Sequence, residues 1–332
     1  MHMADALVAP VVAGVMYVFS SGAAAGSVRQ IKIENEPQKI PVMGVMGAFV
    51  FATQMINFTI PGTGSSGHLC GSVLLTAMLG PYAAFLTMIS VLLIQCLLFA
   101  DGGILALGCN IWNMAFYGCF FGGFVIWKNV MKKGISKKKI VVGSVLACVV
   151  SLQLGAFSVT IQTLLSGITE LPFDLFVATM QPIHLAIGFV EGLITATVLV
   201  FVYEARPELI WCEKQDCIHK EAKLSNRTLL IVLLITSLFI AGGLSLLASK
   251  KPDGLEWSME NVAGTSEISS TGGVYELAEN IQDKTSVLPD YSFKSGETKG
   301  GTIFSGVFGS ITVIVFCVVF CYLFKFIRKK RK

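Results

Sequence analysis

The chain has 332 residues, of which 54% are hydrophobic and 14% are charged, and its formal net charge is +4. Soluble domains carry about 25% charged residues, so this composition excludes an ordinary soluble protein and indicates an integral membrane protein. The basic residues form short runs between apolar blocks. That pattern is typical of cytoplasmic loops and argues against a nucleic-acid-binding surface.

The apolar blocks predict nine transmembrane helices, since a helix needs about 20 apolar residues to cross a bilayer. The third block is divided at Gly80-Pro81 into a short helix and a longer one, because proline breaks the helical hydrogen-bond ladder and restricts the residue before it. The division makes nine helices from eight blocks, which are residues 6–26, 40–56, 68–99, 111–126, 140–165, 178–202, 228–248 and 303–327.

The spacing of these blocks predicts an all-α membrane protein in two parts. Residues 1–205 form a seven-helix body with short loops, and residues 206–227 form a polar cytoplasmic linker. Residues 228–332 form a two-helix hairpin around an outer loop, 249–302. Between Lys250 and Gly301 this loop carries nine acidic residues and five lysines. Its polar, Gly/Ser/Thr-rich composition is typical of a segment that is partly disordered or that folds on a partner.

The basic segments indicate the orientation of the chain. They follow the first, fifth, seventh and ninth predicted helices, which places all four on one side of the membrane. Cytoplasmic loops carry the excess of Lys and Arg, so we expect a cytoplasmic C-terminus and an N-terminus outside a bacterial or archaeal cell membrane. The loops near 57–67, 100–110, 166–177 and 249–302 would then also lie outside.

Two of the four histidines, His2 and His68, fall at the predicted outer face. The amine of Met1, the backbone nitrogen of His2 and its imidazole can close two fused chelate rings around a metal ion, and His68 can occupy the remaining in-plane position. Four nitrogens in a plane suit nickel(II) or copper(II). Since the imidazoles must be neutral, binding should weaken below about pH 6.5. The alternative is that His2 is accidental in a frayed terminus.

Further polar residues are candidates for a pathway or for supporting the metal ligands. His184 and Glu191 share one face of the seventh helix, and ionisable residues inside a membrane span suggest function. The alternative is a polar pair that fixes helix packing. Asn57, Asp101 and Asn110 lie near the outer face, where they would line an entrance, orient imidazoles or cap loops.

Several catalytic motifs are missing from the sequence. It contains no GxxxxGK[ST] phosphate-binding loop, no HExxH and no GxSxG. We therefore expect a protein that is not an enzyme, has no cofactor and cannot hydrolyse ATP in the P-loop manner by itself.

Several segments of residues 1–203 resemble one family, the CbiM/NikM substrate-binding subunits of energy-coupling-factor transporters for cobalt and nickel. The segments are MHMADAL (1–7), QMINF (54–58), PGTGSSGH (61–68), FADGG (99–103), PIHLAIG (182–188) and EG (191–192). The block PDGLE (252–256) resembles a type of the small companion subunit, CbiN or NikN, fused here to the body.

The resemblance implies a function and partners. Metal would bind at the outer face to the Met1 amine, the His2 backbone and imidazole nitrogens and the His68 imidazole, with nickel preferred over cobalt. A transmembrane coupling subunit and cytoplasmic ATPases would drive import, and the companion hairpin would assist metal loading through its outer loop. The competing hypothesis is a stand-alone secondary cation transporter or channel that uses His184 and Glu191.

Overall fold

The computed structural model describes residues 1–31, 39–213, 221–266, 268, 270–296 and 298–330. Within these ranges the regular structure is helical, apart from a two-residue antiparallel ladder between β1 (Phe58–Thr59) and β2 (Ser66–Gly67). The body contains α1 (Pro10–Gln30), α2 (Lys39–Gln54), α3 (Ser72–Leu79), α4 (Pro81–Phe99), α5 (Leu107–Met131), α6 (Lys137–Ser166) and α7 (Phe173–Ala205). The second part contains α8 (Asn226–Gly242), α9 (Gly254–Ala263), α10 (Gly273–Thr285) and α11 (Lys299–Lys330).

Nine apolar helices lie where the sequence predicts them in the described ranges, and this confirms an all-α membrane protein. Six are long and apolar enough to cross a membrane: α1, α4, α5, α6, α7 and α11. Helices α2 and α8 are shorter, with 16 and 17 residues. Helix α3 has eight residues and is too short to span ~30 Å at ~1.5 Å per residue. The division at Gly80-Pro81 predicted a short third helix, and the structure confirms it.

Several helix starts differ from the predicted block bounds by four or five residues, and two of them affect the candidate site. Helix α3 begins at Ser72 and not at His68, because Gly71 before it has a left-handed backbone with φ +80°. Helix α1 begins at Pro10, which is favoured at the first helical position because its missing N–H has no intrahelical partner there. The residues ahead of Pro10 run into the body instead, and Met3 and Leu7 are buried.

The loop 249–302, called the outer segment from here on, is more ordered than its composition suggests. In its described residues it forms α9 and α10, which pack on the chain's own body: α9 against α7, and α10 against α4. Asp253 and Glu256 form a reciprocal capping box at the start of α9. The expectation of partial disorder, or of folding on a separate partner, is therefore wrong for this part of the chain.

The companion hairpin, formed by α8 and α11, packs on α2 of the body. Both α8 and α11 pack against α2, and glycines allow the close approach. A Cβ on Gly47 would lie 3.0 Å from Val313 Cγ1, and one on Gly309 would lie 2.1 Å from Phe51 Cζ. The two halves of the chain therefore share one packed interface.

Basic residues gather with the linker at one end of the helices. Lys128 pairs with Glu213 at 2.6 Å, and Lys137 pairs with Glu204 at 2.9 Å. Linker residues 214–220 lie outside the described residues. The seven cysteines found free are buried, as is usual for these small side chains, whereas Cys212 is disulfide-bonded.

Candidate metal centre

The N-terminal segment is held inside the body. The Asn110 side chain accepts a hydrogen bond from the Met3 N–H at 2.7 Å and donates one to the Met3 carbonyl at 3.1 Å. The Gly103 N–H also donates to that carbonyl, at 3.0 Å, and Asp5 Oδ1 accepts from the Ala106 N–H at 2.9 Å. The first residues are therefore anchored on the loop between α4 and α5 and are not frayed.

Two glycines in that loop make room for the N-terminal segment. A Cβ on Gly103 would lie 1.8 Å from Asp5 Oδ1, which no side chain tolerates. Gly102 has φ +81°, and its Cβ would lie 2.8 Å from Asn110 Nδ2 and 3.3 Å from His2 Cβ. The FADGG segment thus provides the backbone surface on which the first residues rest.

The amine of Met1 lies between His68 and Asp253. Its nitrogen is 3.4 Å from His68 Nε2 and forms an ion pair with Asp253 Oδ2. His68 Nδ1 donates to the Leu69 carbonyl at 2.9 Å, and this leaves the lone pair of a neutral ring on Nε2, facing the amine. Two nitrogens about 2 Å from one metal are ~2.8 Å apart when adjacent, so the Met1 and His68 nitrogens need to move only slightly closer to share a metal.

The His2 ring stacks on the His68 ring, with centroids 5.4 Å apart and planes inclined by 22°. His2 Nδ1 lies 3.1 Å from Asp101 Oδ1, and Asp101 Oδ2 accepts from the Tyr291 hydroxyl at 2.5 Å. His2 Nε2 is buried and makes no hydrogen bond of good geometry to any described residue, although the Gln95 amide lies beside the ring. Nδ1, the ring nitrogen that could close a chelate ring with the His2 backbone nitrogen, therefore faces Asp101 in this structure and would have to turn toward a metal.

The electrostatics of the site favour neutral imidazoles. Burial lowers the pKa of His2, against the opposing effect of Asp101. Burial and the Met1 ammonium lower the pKa of His68 to about 4. Burial alone would raise the pKa of Asp253, but the Met1 ammonium and His68 hold it well below its usual range. At neutral pH both rings are therefore uncharged, which is the state that binds metals.

The predicted intramembrane pair occupies two different places. Glu191 is fully buried and accepts hydrogen bonds from the N–H groups of Cys70 and Gly71 at the start of α3. His184 Nδ1 bonds the Met180 carbonyl at 2.8 Å, while its buried Nε2 has no partner among the residues described. His184 borders a cavity of about 10 Å³ that also touches Met1, His68 and Asp253.

A larger vestibule of about 1170 Å³ separates the body from the outer segment. His2, His68 and Asp101 line it from the body, and Asp253 and Glu256 line it from the other half. Asn57 also lines it, and its carbonyl accepts from the Ser249 N–H at 2.7 Å.

The structure thus gathers Met1, His2, His68 and Asp101 and adds Asp253, which sequence reasoning had noted only within a family signature. The described part of the chain contains no group of three or more His, Cys, Asp or Glu side chains placed to hold a metal. A metal site here would therefore need the chain's own amine and backbone nitrogen as ligands.

The helical architecture and this pocket define the class: a multi-pass membrane protein built like a transition-metal transporter. A solved "truncated transition metal transporter" superposes with a TM-score of 0.54 at 28% sequence identity, over 61% of this chain and 99% of that one. The family model "cobalt uptake substrate-specific transmembrane region" matches residues 2–209, and the model "PDGLE domain" matches residues 227–326. The chain therefore belongs to the CbiM cobalt-uptake family, and its body is joined to a PDGLE domain.

The curated relatives are named as transport proteins. A putative fused nickel transport protein, NikMN, from Archaeoglobus fulgidus is 31% identical over 95% of this chain and 96% of its own length. A probable fused nickel transport protein, LarMN, from Lactiplantibacillus plantarum is 29% identical over 79% of both chains. This chain has the same fused arrangement of a transport body and a companion, as the sequence resemblance implied.

Proposed function

We propose that this chain is the metal-capture subunit of an ATP-driven importer of the energy-coupling-factor type, and that its cargo is nickel(II) in preference to cobalt(II). The metal is the transported substrate and not a resident cofactor. The observation that carries the proposal is the convergence of the Met1 amine, His2 and His68 at a pocket open to the vestibule.

The proposed ligands are the amine of Met1, the backbone and imidazole nitrogens of His2, and Nε2 of His68. The buried N-terminus supports this set, since a ligand amine has to be held in place. The neutral imidazoles support it too, because a protonated ring has no lone pair to give.

The preference for nickel follows from the geometry of such a set. Four nitrogens in one plane suit nickel(II), whereas cobalt(II) forms weaker complexes with the same ligands. The relatives named as fused nickel transport proteins have the same two-part layout, which also supports nickel as the cargo.

The proposed orientation places the vestibule outside the cell and the C-terminus in the cytoplasm. The ion-paired lysines at the end of α5 and the start of α6 support it, because the cytoplasmic side carries the basic residues. The proposed partners are a transmembrane coupling subunit and cytoplasmic ATPases, since the sequence has no phosphate-binding loop of its own.

Calorimetry on the purified full chain with its native N-terminus tests the proposal. We expect nickel to bind more tightly than cobalt, and His2→Ala and His68→Ala each to abolish tight binding. His219→Ala, in the predicted linker, is the matched imidazole control and should bind like the wild type. Unchanged nickel affinity in both His2→Ala and His68→Ala would refute the proposed site.

The alternative is a stand-alone secondary transporter, and one observation favours it: the unpartnered Nε2 of buried His184. Glu191 argues against it, since its carboxylate is used by two backbone N–H groups. Vesicles containing only this chain should take up no nickel under a proton gradient. Gradient-driven uptake, lost in His184→Ala, would favour the alternative.

A further inference from the structure

The two carboxylate oxygens of Asp253 contact two different parts of the molecule. Oδ1 accepts hydrogen bonds from the N–H groups of Leu255 and Glu256, at 2.7 and 2.9 Å, and so caps α9. Oδ2 forms the ion pair with the amine of Met1. The Asp253 side chain is only 17% exposed, so the pair is largely shielded from water. One side chain therefore joins the second half of the chain to the first residue of the body.

The backbone around Asp253 is attached to the loop that ends at His68. The Ser66 N–H donates to the Pro252 carbonyl at 2.8 Å, and the Ser66 hydroxyl donates to the Lys251 carbonyl at 2.7 Å. These bonds lie two residues from His68. The carboxylate and the imidazole are therefore positioned on the amine by the same stretch of backbone.

Neighbouring residues hold the carboxylate in this place. A Cβ on Gly254 would lie 3.0 Å from His184 Cε1 and 2.9 Å from Ile187 Cδ1, so the absence of a side chain allows α9 to rest directly on α7. Leu255 is buried, with 2% exposure. Glu256 Oε2 accepts from the Asp253 N–H at 2.9 Å. These contacts leave the aspartate little freedom to turn away from the amine.

We propose that Asp253 is a positioning residue of the metal centre, which holds the Met1 amine beside His68 Nε2 so that the site is assembled from both halves of the chain. The proposal rests on the function proposed above. A primary amine bound to a metal keeps two N–H bonds, so Asp253 can accept one of them in the loaded state as well. Groups that orient metal ligands in this way typically change the affinity by ~10–100-fold.

Asp253→Asn separates this role from helix capping, because asparagine is an equally good N-cap and lacks the charge. Glu260→Gln, on the exposed face of the same helix, removes one negative charge away from the amine. By calorimetry we expect Asp253→Asn to bind nickel at least ~10-fold more weakly and Glu260→Gln to match the wild type. Wild-type affinity in Asp253→Asn, with binding still lost in His68→Ala, would overturn this inference and leave the proposed function standing.

A second measurement needs no metal. A cleavable tag that leaves one glycine ahead of Met1 converts the amine into an amide. We expect this extension and Asp253→Asn each to lower the melting temperature of the metal-free protein, and the two changes together to lower it little further. Strictly additive effects would show that Asp253 does not act through the amine.

Discussion

Glu191 and Gly71 join the middle of α7 to the start of α3. Glu191 Oε1 accepts the Gly71 N–H at 2.9 Å, and Oε2 accepts the neighbouring Cys70 N–H at 3.0 Å. Gly71 is the N-cap of α3 and Cys70 precedes it, and a negative charge is favoured at that end of a helix. The carboxylate therefore fixes the point where the chain, having passed His68, begins to run as a helix.

Replacing Glu191 with alanine should destabilise the protein strongly. Two buried N–H groups would lose their acceptor, and each such loss costs about 1–3 kcal/mol. Glu191→Gln keeps one oxygen acceptor and should lose less. Thermal unfolding in detergent measures both, with Thr197→Ala on the exposed face of the same helix as the control. Wild-type melting of Glu191→Ala would show that the carboxylate does not stabilise α3.

Gly71→Ala should be much more harmful than a substitution at another left-handed glycine. The new Cβ would lie 2.5 Å from Val50 Cγ1, in a backbone conformation with φ +80°. Gly167 after α6 has φ +61°, and no heavy atom of the described chain lies within 4 Å of its Cβ position. Gly167→Ala should therefore cost only the conformational strain of about 1 kcal/mol. Equal losses of melting temperature in the two variants would rule out the Val50 contact as the cause.

Asp101→Ala should weaken nickel binding by ~10-fold, because the site loses a carboxylate whose negative charge beside the His2 ring attracts a dication. Tyr291→Phe removes only the hydroxyl that supports Asp101 and should have a smaller effect in the same direction. Competition with a coloured chelator measures both affinities. Tighter binding in Asp101→Ala would instead mean that Asp101 draws the ring away from the metal.

The metal-free protein should lose stability as the pH falls from about 6.5 to about 4. The pKa of His68 is near 6.5 in an unfolded chain and about 4 in the fold, so the unfolded state takes up the proton first. The free energy of unfolding then falls by up to about 3 kcal/mol across this window. The lowered pKa of Asp253 reduces the stability further only at still lower pH, because carboxyl groups of an unfolded chain titrate near 3.9.

Denaturant unfolding at several pH values, with His68→Gln alongside the wild type, tests this expectation. The variant should show a flatter dependence between pH 6.5 and 4. Identical slopes in the two proteins would contradict a buried neutral His68. Because the pKa of His68 is lowered, protonation of this imidazole should weaken nickel binding only at a pH below the ~6.5 expected from the sequence.

Much of the architecture could be read from local patterns. Apolar blocks predicted the nine apolar helices of the described ranges, and Gly80-Pro81 correctly separated α3 from α4. The start of α3 was missed, because the residues from His68 to Gly71 are as apolar as a helix. Their conformation depends on Glu191, which is more than a hundred residues away, and hydropathy does not record such a partner.

The candidate site, like the fold, could be predicted only in part from the sequence. The sequence by itself determined that an amine, a backbone nitrogen and an imidazole are adjacent in Met1-His2, because neighbours along the chain are neighbours in space. Only the tertiary structure decided that His68 Nε2 lies 3.4 Å from that amine and that Asp253 binds it from 252 residues away. It also decided that the acidic outer segment, polar enough to suggest disorder, is helical over much of its described length. Composition measures how much apolar surface a segment carries, but the neighbouring elements determine whether that surface is buried.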